Sequence, residues 1–181
     1  MIDIFEHCES ENKTGALLCA DFEKAYDTVE HNFLFSVLKR FNFGDHFISW
    51  IKLLYSEPMF RVKNNGWMSS SYRMERGIRQ GCPASSLLFI LVIEVLANAI
   101  RQSKNIHGIN IHNHQHKIML YADVATICVG DKQSISEVIK VIRNFSHFAG
   151  PQLNLHKTRG MWLGPLKNEG IRTMEGITFT G

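Results

Sequence analysis

The sequence predicts an α+β fold, in which helices are grouped against an antiparallel sheet. Three kinds of segment lead there. Ala16-Leu17-Leu18-Cys19-Ala20 runs into Asp21 and Ile118-Met119-Leu120-Tyr121-Ala122 runs into Asp123, and apolar runs this short with polar flanks read as buried strands. Elsewhere apolar residues recur at helical spacing. Between those stretches, Asn64-Asn65-Gly66 interrupts alternating residues and signals a β-hairpin.

The elements follow in order. After the first strand, Leu34, Val37, Leu38 and Phe41 form one face of a helix over His31–Phe43, which Gly44 closes. Asp45 is placed to cap a second helix, whose stripe is Phe47, Ile48, Ile51, Leu54 and Tyr55. Met59–Lys63 alternates apolar and basic residues before the Asn-Asn-Gly turn, so a hairpin through Trp67 to Met74 would present Arg61 and Lys63 to solvent. Ser85–Gln102 is apolar nearly all round in its first half, the pattern of a buried helix. A last helix runs over Ser134–Phe148, with Ile135, Val138, Ile139, Ile142 and Phe145 facing a core, and ends at Gly150-Pro151.

The chain has 181 residues, 45% hydrophobic and 20% charged, enough for one core and a length that fits one domain better than two. Its longest apolar run, Leu87–Ile93, is stopped by Glu94. That is well short of the roughly 20 residues a bilayer requires, so no membrane partner is expected. Met1-Ile2-Asp3-Ile4-Phe5-Glu6 is acidic where a signal peptide is basic, which points to an intracellular protein. Cys8, Cys19, Cys82 and Cys128 form no CxxC pair and read as reduced core thiols. A formal net charge of +3 and a pI near 8.7 permit a nucleic-acid partner without demanding one. The cations do gather locally, since Arg61, Lys63, Arg73, Arg76 and Arg79 share one stretch, although a solvated hairpin would carry them equally well.

Two strands side by side, each ending on an aspartate, would hold Asp21 and Asp123 together at one edge of the sheet. Hard divalent cations prefer such oxygen donors, and a pair of ions can activate an attacking oxygen and stabilise a leaving one in phosphoryl transfer. Val124 follows Asp123 and offers methyl groups where a further acid would serve that chemistry. His112, His114 and His116 alternate and would share one face of a strand, but among Asn110, Asn113 and Gln115 they read as a polar hairpin rather than a zinc site.

The run Ala20-Asp21-Phe22-Glu23-Lys24-Ala25-Tyr26-Asp27 resembles the first catalytic motif of reverse transcriptases, in the form found in LINE-type (non-LTR) retrotransposons. The likeness continues in order: Arg76-Gly77-Ile78-Arg79-Gln80-Gly81-Cys82-Pro83 looks like the second motif, Tyr121-Ala122-Asp123 like the third, and Gly150–Thr158 like the fourth. Four ordered motifs at compatible spacing carry far more weight than any one of them. The resemblance implies the palm of an RNA-directed DNA polymerase over residues 1–181, with most of the fingers and all of the thumb absent, ending at the start of the fifth-motif hairpin near Gly176–Gly181.

It also implies roles. Asp21 and Asp123 would be catalytic and would hold two Mg²⁺ ions, and Lys157 would protonate or charge-balance the leaving pyrophosphate. A lysine in a loop is otherwise merely solvated. Phe22, Tyr26, Gln80 and Gly81 would contact the nucleotide, Tyr26 by crowding a ribose 2′ hydroxyl. Gly-Cys-Pro also makes a competent helix-start turn. Arg76 and Arg79 would meet nucleic acid. The expected partners are an RNA template, a DNA primer and a deoxynucleoside triphosphate. A viral RNA-dependent RNA polymerase shares the palm logic, but Tyr26 and the Arg76–Pro83 run argue against it.

The departures bear on activity. The family's third motif normally carries two consecutive aspartates, and here the second position is Val124. Losing one carboxylate beside the ions implies chemistry slowed by about 10²-fold to 10⁴-fold, hence an impaired or inactive enzyme. Ala84, Ser86 and Gln152 also depart from the family pattern. The alternative reading is a noncatalytic retroelement remnant or a nucleic-acid-binding module.

Overall fold

In the computed structural model, which describes residues 2–79, 81–121 and 124–181, helices and short strands alternate along the chain. Helix α1 (Ile2–Ser10) precedes β1 (Gly15–Ala20) and the short β2 (Phe22–Glu23), followed by α2 (His31–Arg40) and α3 (Asp45–Tyr55). A hairpin follows, built from β3 (Met59–Phe60), β4 (Lys63–Asn64), β5 (Trp67–Met68) and β6 (Tyr72–Arg73). Next come α4 (Ser85–Gln102), β7 (Ile109–Ile111), β8 (His114–His116), β9 (Ile118–Tyr121), β10 (Val124–Val129) and α5 (Lys132–Ala149). The chain continues through β11 (Gln152–Leu153), β12 (Arg159–Leu163), a 3₁₀ turn at Gly164–Glu169, β13 (Thr173–Met174) and β14 (Ile177–Thr180).

Among the described residues the main sheet has six strands in the order β13-β14-β12-β1-β10-β9. Every pairing is antiparallel except β12 with β14. The fold class is thus α+β with an antiparallel-dominated sheet, as the sequence predicts. The strand that leads into Asp123, β9, does not neighbour β1; β10 lies between them, pairing Ala20 with Ala125 on one side and Tyr121 with Val124 on the other. Periodicity shows that a segment is a strand but not which strand it pairs with, and Val124-Ala-Thr-Ile-Cys-Val129 is itself a β-branched, apolar run.

The period-2 alternation of β1 and β10 divides the core. Ala16, Leu18 and Ala20, with Ala125, Ile127 and Val129, point into the main core with Phe89, Val92 and Leu96 of α4 and Ile135, Ile139 and Ile142 of α5. Leu17 and Cys128 point the other way, into a smaller cluster with Ile4 and Cys8 of α1, Ile109 and Leu163. The helix α1 is not among the elements that periodicity predicts; its signal is Ile4 and Cys8, four residues apart on one face. Cys8 and Cys128 are the buried thiols expected, but Cys19, on the same strand face as Leu17, is exposed and lies outside that second cluster.

The helices keep close to their predicted bounds. α4 has the length and composition to cross a membrane, yet its residues Leu88, Phe89, Val92, Ile93, Leu96, Ala97 and Ile100 pack into the main core. α2 stops three residues before the predicted end. Asn42 turns left-handed (φ 60°), its N–H donates to the Lys39 carbonyl and Phe43 N–H donates to Leu38, a Schellman closure. Asp45 is the first residue of α3 rather than its cap, since extended Gly44 holds that position. α5 starts two residues early because the Asp131 carboxylate accepts the Ser134 N–H at 2.7 Å. The hairpin turns at Asn65 and Gly66, both at positive φ (46° and 85°), and Arg61 and Lys63 are exposed as predicted. His112 sits at positive φ in the turn between β7 and β8, so the three histidines do not share one strand face.

Candidate catalytic site

Asp21 follows the last residue of β1, and Val124 is the first of β10. The pair Ala20 and Ala125 therefore puts both at the same end of the central sheet. The Asp21 backbone is fixed from the fourth motif on both sides. Its N–H donates to the Thr158 hydroxyl at 3.3 Å, and its carbonyl accepts the Asn154 N–H at 2.8 Å. Immediately beyond, Phe22 and Glu23 pair with Leu153 and Gln152 through β2 and β11. The Asp21 side chain is half-buried, and among the described residues it makes no hydrogen bond or ion pair. Val124 is 47% exposed and its partner Tyr121 is 85% exposed, so methyl groups and a ring line this end of β9 and β10. Asp123 and Gln80, both predicted site residues, lie outside the described residues.

Lys157 stands exposed on a turn whose start, Asn154, takes the N–H groups of Lys157 and Thr158. That turn is the one bonded to Asp21, so the predicted lysine and aspartate are joined through two backbone links. The sequence motifs alone assign Asn154 and Thr158 no role. Their signal was a pair of short polar side chains, four residues apart inside a motif, of the kind that bonds locally to backbone.

The second motif docks on the first. Gly77 N–H donates to the Val29 carbonyl at 2.7 Å and Ile78 N–H to the Tyr26 carbonyl at 2.6 Å, while His31 Nε2 meets the Gly77 carbonyl at 2.9 Å. Gly77 has φ 98°, and a Cβ there would come within 2.6 Å of the Asp27 carbonyl, so only glycine permits this contact. The Tyr26 ring stacks on Phe89 of α4, with centroids 4.4 Å apart and planes at 23°. It lines a cavity of about 450 Å³ with Gly81, Cys82, Pro83, Ser85 and Ser86. Two predicted nucleotide contacts, Tyr26 and Gly81, thus meet in one concave site. Phe22, by contrast, is buried in the main core and does not line that cavity. Ser85 donates its hydroxyl to the Arg79 carbonyl, tying the start of α4 to the motif loop. Arg76 and Arg79 are exposed, and the Arg79 guanidinium lies 5.5 Å from the centre of the Phe60 ring in the hairpin.

Three comparisons bear on this arrangement. The family model described as reverse transcriptase (RNA-dependent DNA polymerase) matches residues 2–181. The chain is 29% identical over 167 residues to the transposon TX1 uncharacterized 149 kDa protein of Xenopus laevis, covering 91% of this chain and 13% of that protein. It is 21% identical over 154 residues to the Pol polyprotein from the type-2 retrotransposable element R2DM of Drosophila melanogaster, covering 85% of this chain and 14% of the relative. The chain therefore spans only a small part of the length of these relatives. In fold it is similar to telomerase from Candida tropicalis in complex with a fragment of telomeric RNA, with a TM-score of 0.64, 14% identity, and coverage of 89% of this chain and 28% of that one. Matched across its described length and related to retrotransposon Pol proteins, the chain belongs to the reverse transcriptase (RNA-dependent DNA polymerase) family, in its non-LTR retrotransposon branch.

Proposed function

We propose that residues 1–181 form the palm of an RNA-directed DNA polymerase whose nucleotidyl transfer is impaired at Val124. The observation that carries the reading is the end of the central sheet. Asp21 leaves β1 there with its backbone held by Asn154 and Thr158, and β10 begins beside it with a valine. The Asp21 carboxylate fits a hard divalent cation, being a half-exposed oxygen donor with no other partner among the described residues. Val124 does not fit, and among the described residues no cluster of three or more His, Cys, Asp or Glu side chains is suited to a metal ion. Reverse transcriptases use divalent ions, and two bound ions supply Lewis-acid stabilisation of phosphoryl charge.

The chain's own residues do the rest. Asp21 and Asp123 would hold the divalent ions, and Tyr26 closes one side of the 450 Å³ cavity against a ribose 2′ hydroxyl. Gly81, at φ 83° with open space where a Cβ would stand, leaves room for a nucleotide to approach its backbone. Lys157, on the turn bonded to Asp21, balances the pyrophosphate charge, and Arg76 and Arg79 hold template phosphates. The partners under this reading are an RNA template, a DNA primer and a deoxynucleoside triphosphate.

A second reading, a noncatalytic nucleic-acid-binding module, is favoured by the same valine. Primer extension on an RNA template with Mg²⁺ separates them, comparing the native chain with Val124→Asp after circular dichroism confirms that both fold. Extension that rises by about 10²-fold or more with Val124→Asp supports an impaired polymerase. Substantial extension by the native chain contradicts the impairment, and none by either leaves the binding module.

A further inference from the structure

The catalytic reading leaves the hairpin β3–β6 unused, and its surface combines two kinds of side chain. Trp67 is 82% exposed, and Val62, Met68 and Tyr72 are exposed beside it. These residues bury little against the body, yet the hairpin is well held. Asn64 pairs with Trp67 and Lys63 with Met68 across the Asn65-Gly66 turn, and Val62 and Ser69 exchange two hydrogen bonds of 2.9 Å. A rigid element that displays an indole to solvent costs apolar hydration with no return from the core.

The second component is charge. The segment from Glu57 to Arg79 carries Arg61, Lys63, Arg73, Arg76 and Arg79 against Glu57 and Glu75, an excess of three that equals the formal net charge of the entire chain, +3. Of the two acids, Glu57 is taken up by Arg73 at 3.7 Å. Arg61 and Lys63 flank the tip with no ion-pair partner among the described residues. At the base, Tyr72 stands opposite Phe60 with ring centroids 6.1 Å apart, and Arg79 lies over the Phe60 ring. Aromatic faces interleaved with unpaired cations suit an unpaired nucleotide strand, where bases stack and phosphates need positive charge.

We propose that this hairpin is a docking arm for single-stranded nucleic acid, with Trp67 stacking on an unpaired base and Arg61 and Lys63 holding the adjacent phosphates. The base of the arm is tied to the second motif through Arg79, whose guanidinium lies over the Phe60 ring. Binding by the arm does not rest on nucleotidyl transfer and needs neither Mg²⁺ nor Asp123.

The test is fluorescence anisotropy of a labelled oligo(U) and a labelled duplex of equal length, titrated with the native 181-residue chain in EDTA over a range of salt. Trp67→Ala is expected to weaken oligo(U) binding by about 5-fold to 100-fold while Trp67→Phe keeps most of it. Arg61→Ala with Lys63→Ala is expected to flatten the slope of log affinity against log salt by about 0.7 per cation lost. Circular dichroism establishes that each variant folds, and the exposure of all three side chains leaves the core intact. Unchanged affinity and unchanged slope in both variants overturn the proposal. So does a Trp67→Ala chain that binds oligo(U) as before but loses a self-associated species in light scattering, which would mark the arm as a protein interface. Because no metal or nucleotide is present, failure of polymerase activity in Val124→Asp does not bear on the result.

Discussion

The Asp21 N–H and the Thr158 hydroxyl meet at 3.3 Å across 137 residues of sequence, joining the first motif to the fourth. Thr158 is 1% exposed and Asp21 half-buried, so the contact is partly shielded from water and losing it leaves a polar group poorly satisfied. Thr158→Val removes the acceptor at nearly constant volume and is expected to cost about 1–3 kcal/mol, read as a lower urea midpoint at unchanged slope. Thr158→Ser should recover most of the loss. An unaltered midpoint in the valine variant would show that the contact contributes nothing.

Tyr26 packs its ring on Phe89 and lines the cavity it shares with Gly81. In a Val124→Asp background, Tyr26→Ala is expected to relax discrimination between deoxynucleotides and ribonucleotides by at least about tenfold, while Tyr26→Phe preserves it. Competing single-nucleotide incorporation measures the ratio. Equal ratios in the alanine variant and its parent would remove Tyr26 from sugar selection.

Asp131 caps α5 through the Ser134 N–H and also pairs with His107 Nδ1 at 2.8 Å. Burial pushes its carboxyl up, but the Ser134 and His107 hydrogen bonds outweigh that and hold it below the usual carboxylate range. Its folded pKa is therefore the lower one, so its contribution is complete above the unfolded carboxylate range and disappears as pH falls through the lowered value. Asp131→Ala is expected to cost about 0.5–2 kcal/mol at neutral pH, and the gap to the native chain should close in acid. Urea titrations across pH check the trend, and a gap that widens in acid would contradict it.

Gly150 ends α5 at φ 102°, and a Cβ there would run into the Thr28 carbonyl. The same turn is fastened by Glu30 N–H to the Ala149 carbonyl at 2.9 Å, which sets the entry to β11 and so to the Asp21 clamp. Gly150→Ala is expected to destabilise by more than about 1 kcal/mol, from both the backbone conformation and the contact. A thermal melt with no shift would refute this.

Much of this was legible in the sequence, for reasons that differ by element. The helical stripes of Leu34-Val37-Leu38 and Ile135-Val138-Ile139-Ile142 fix a face and a length, and α4 begins and ends where its apolar pattern does. The Asn65-Gly66 turn demands positive φ and so announces itself. Strand partners are set by contacts far apart in sequence, which is why β10 between β1 and β9 was not foreseen. The site was legible as motifs but not as contacts. Nothing local in Thr158 says that it accepts the Asp21 N–H, and nothing local in Cys19 says that it lies outside the cluster around α1.

The proposed impairment at Val124 is tested at the metal ions themselves, because Val124 stands beside Asp21 at the end of the central sheet. The most direct measurement is Mn²⁺ binding by electron paramagnetic resonance in the native chain, in Val124→Asp, and in Val124→Asp with Asp21→Asn, each with primer, template and nucleotide present. Val124→Asp is expected to gain at least about tenfold in Mn²⁺ affinity or one further bound ion, and adding Asp21→Asn is expected to abolish the gain. Equal Mn²⁺ binding by the native and Val124→Asp chains would contradict the impairment.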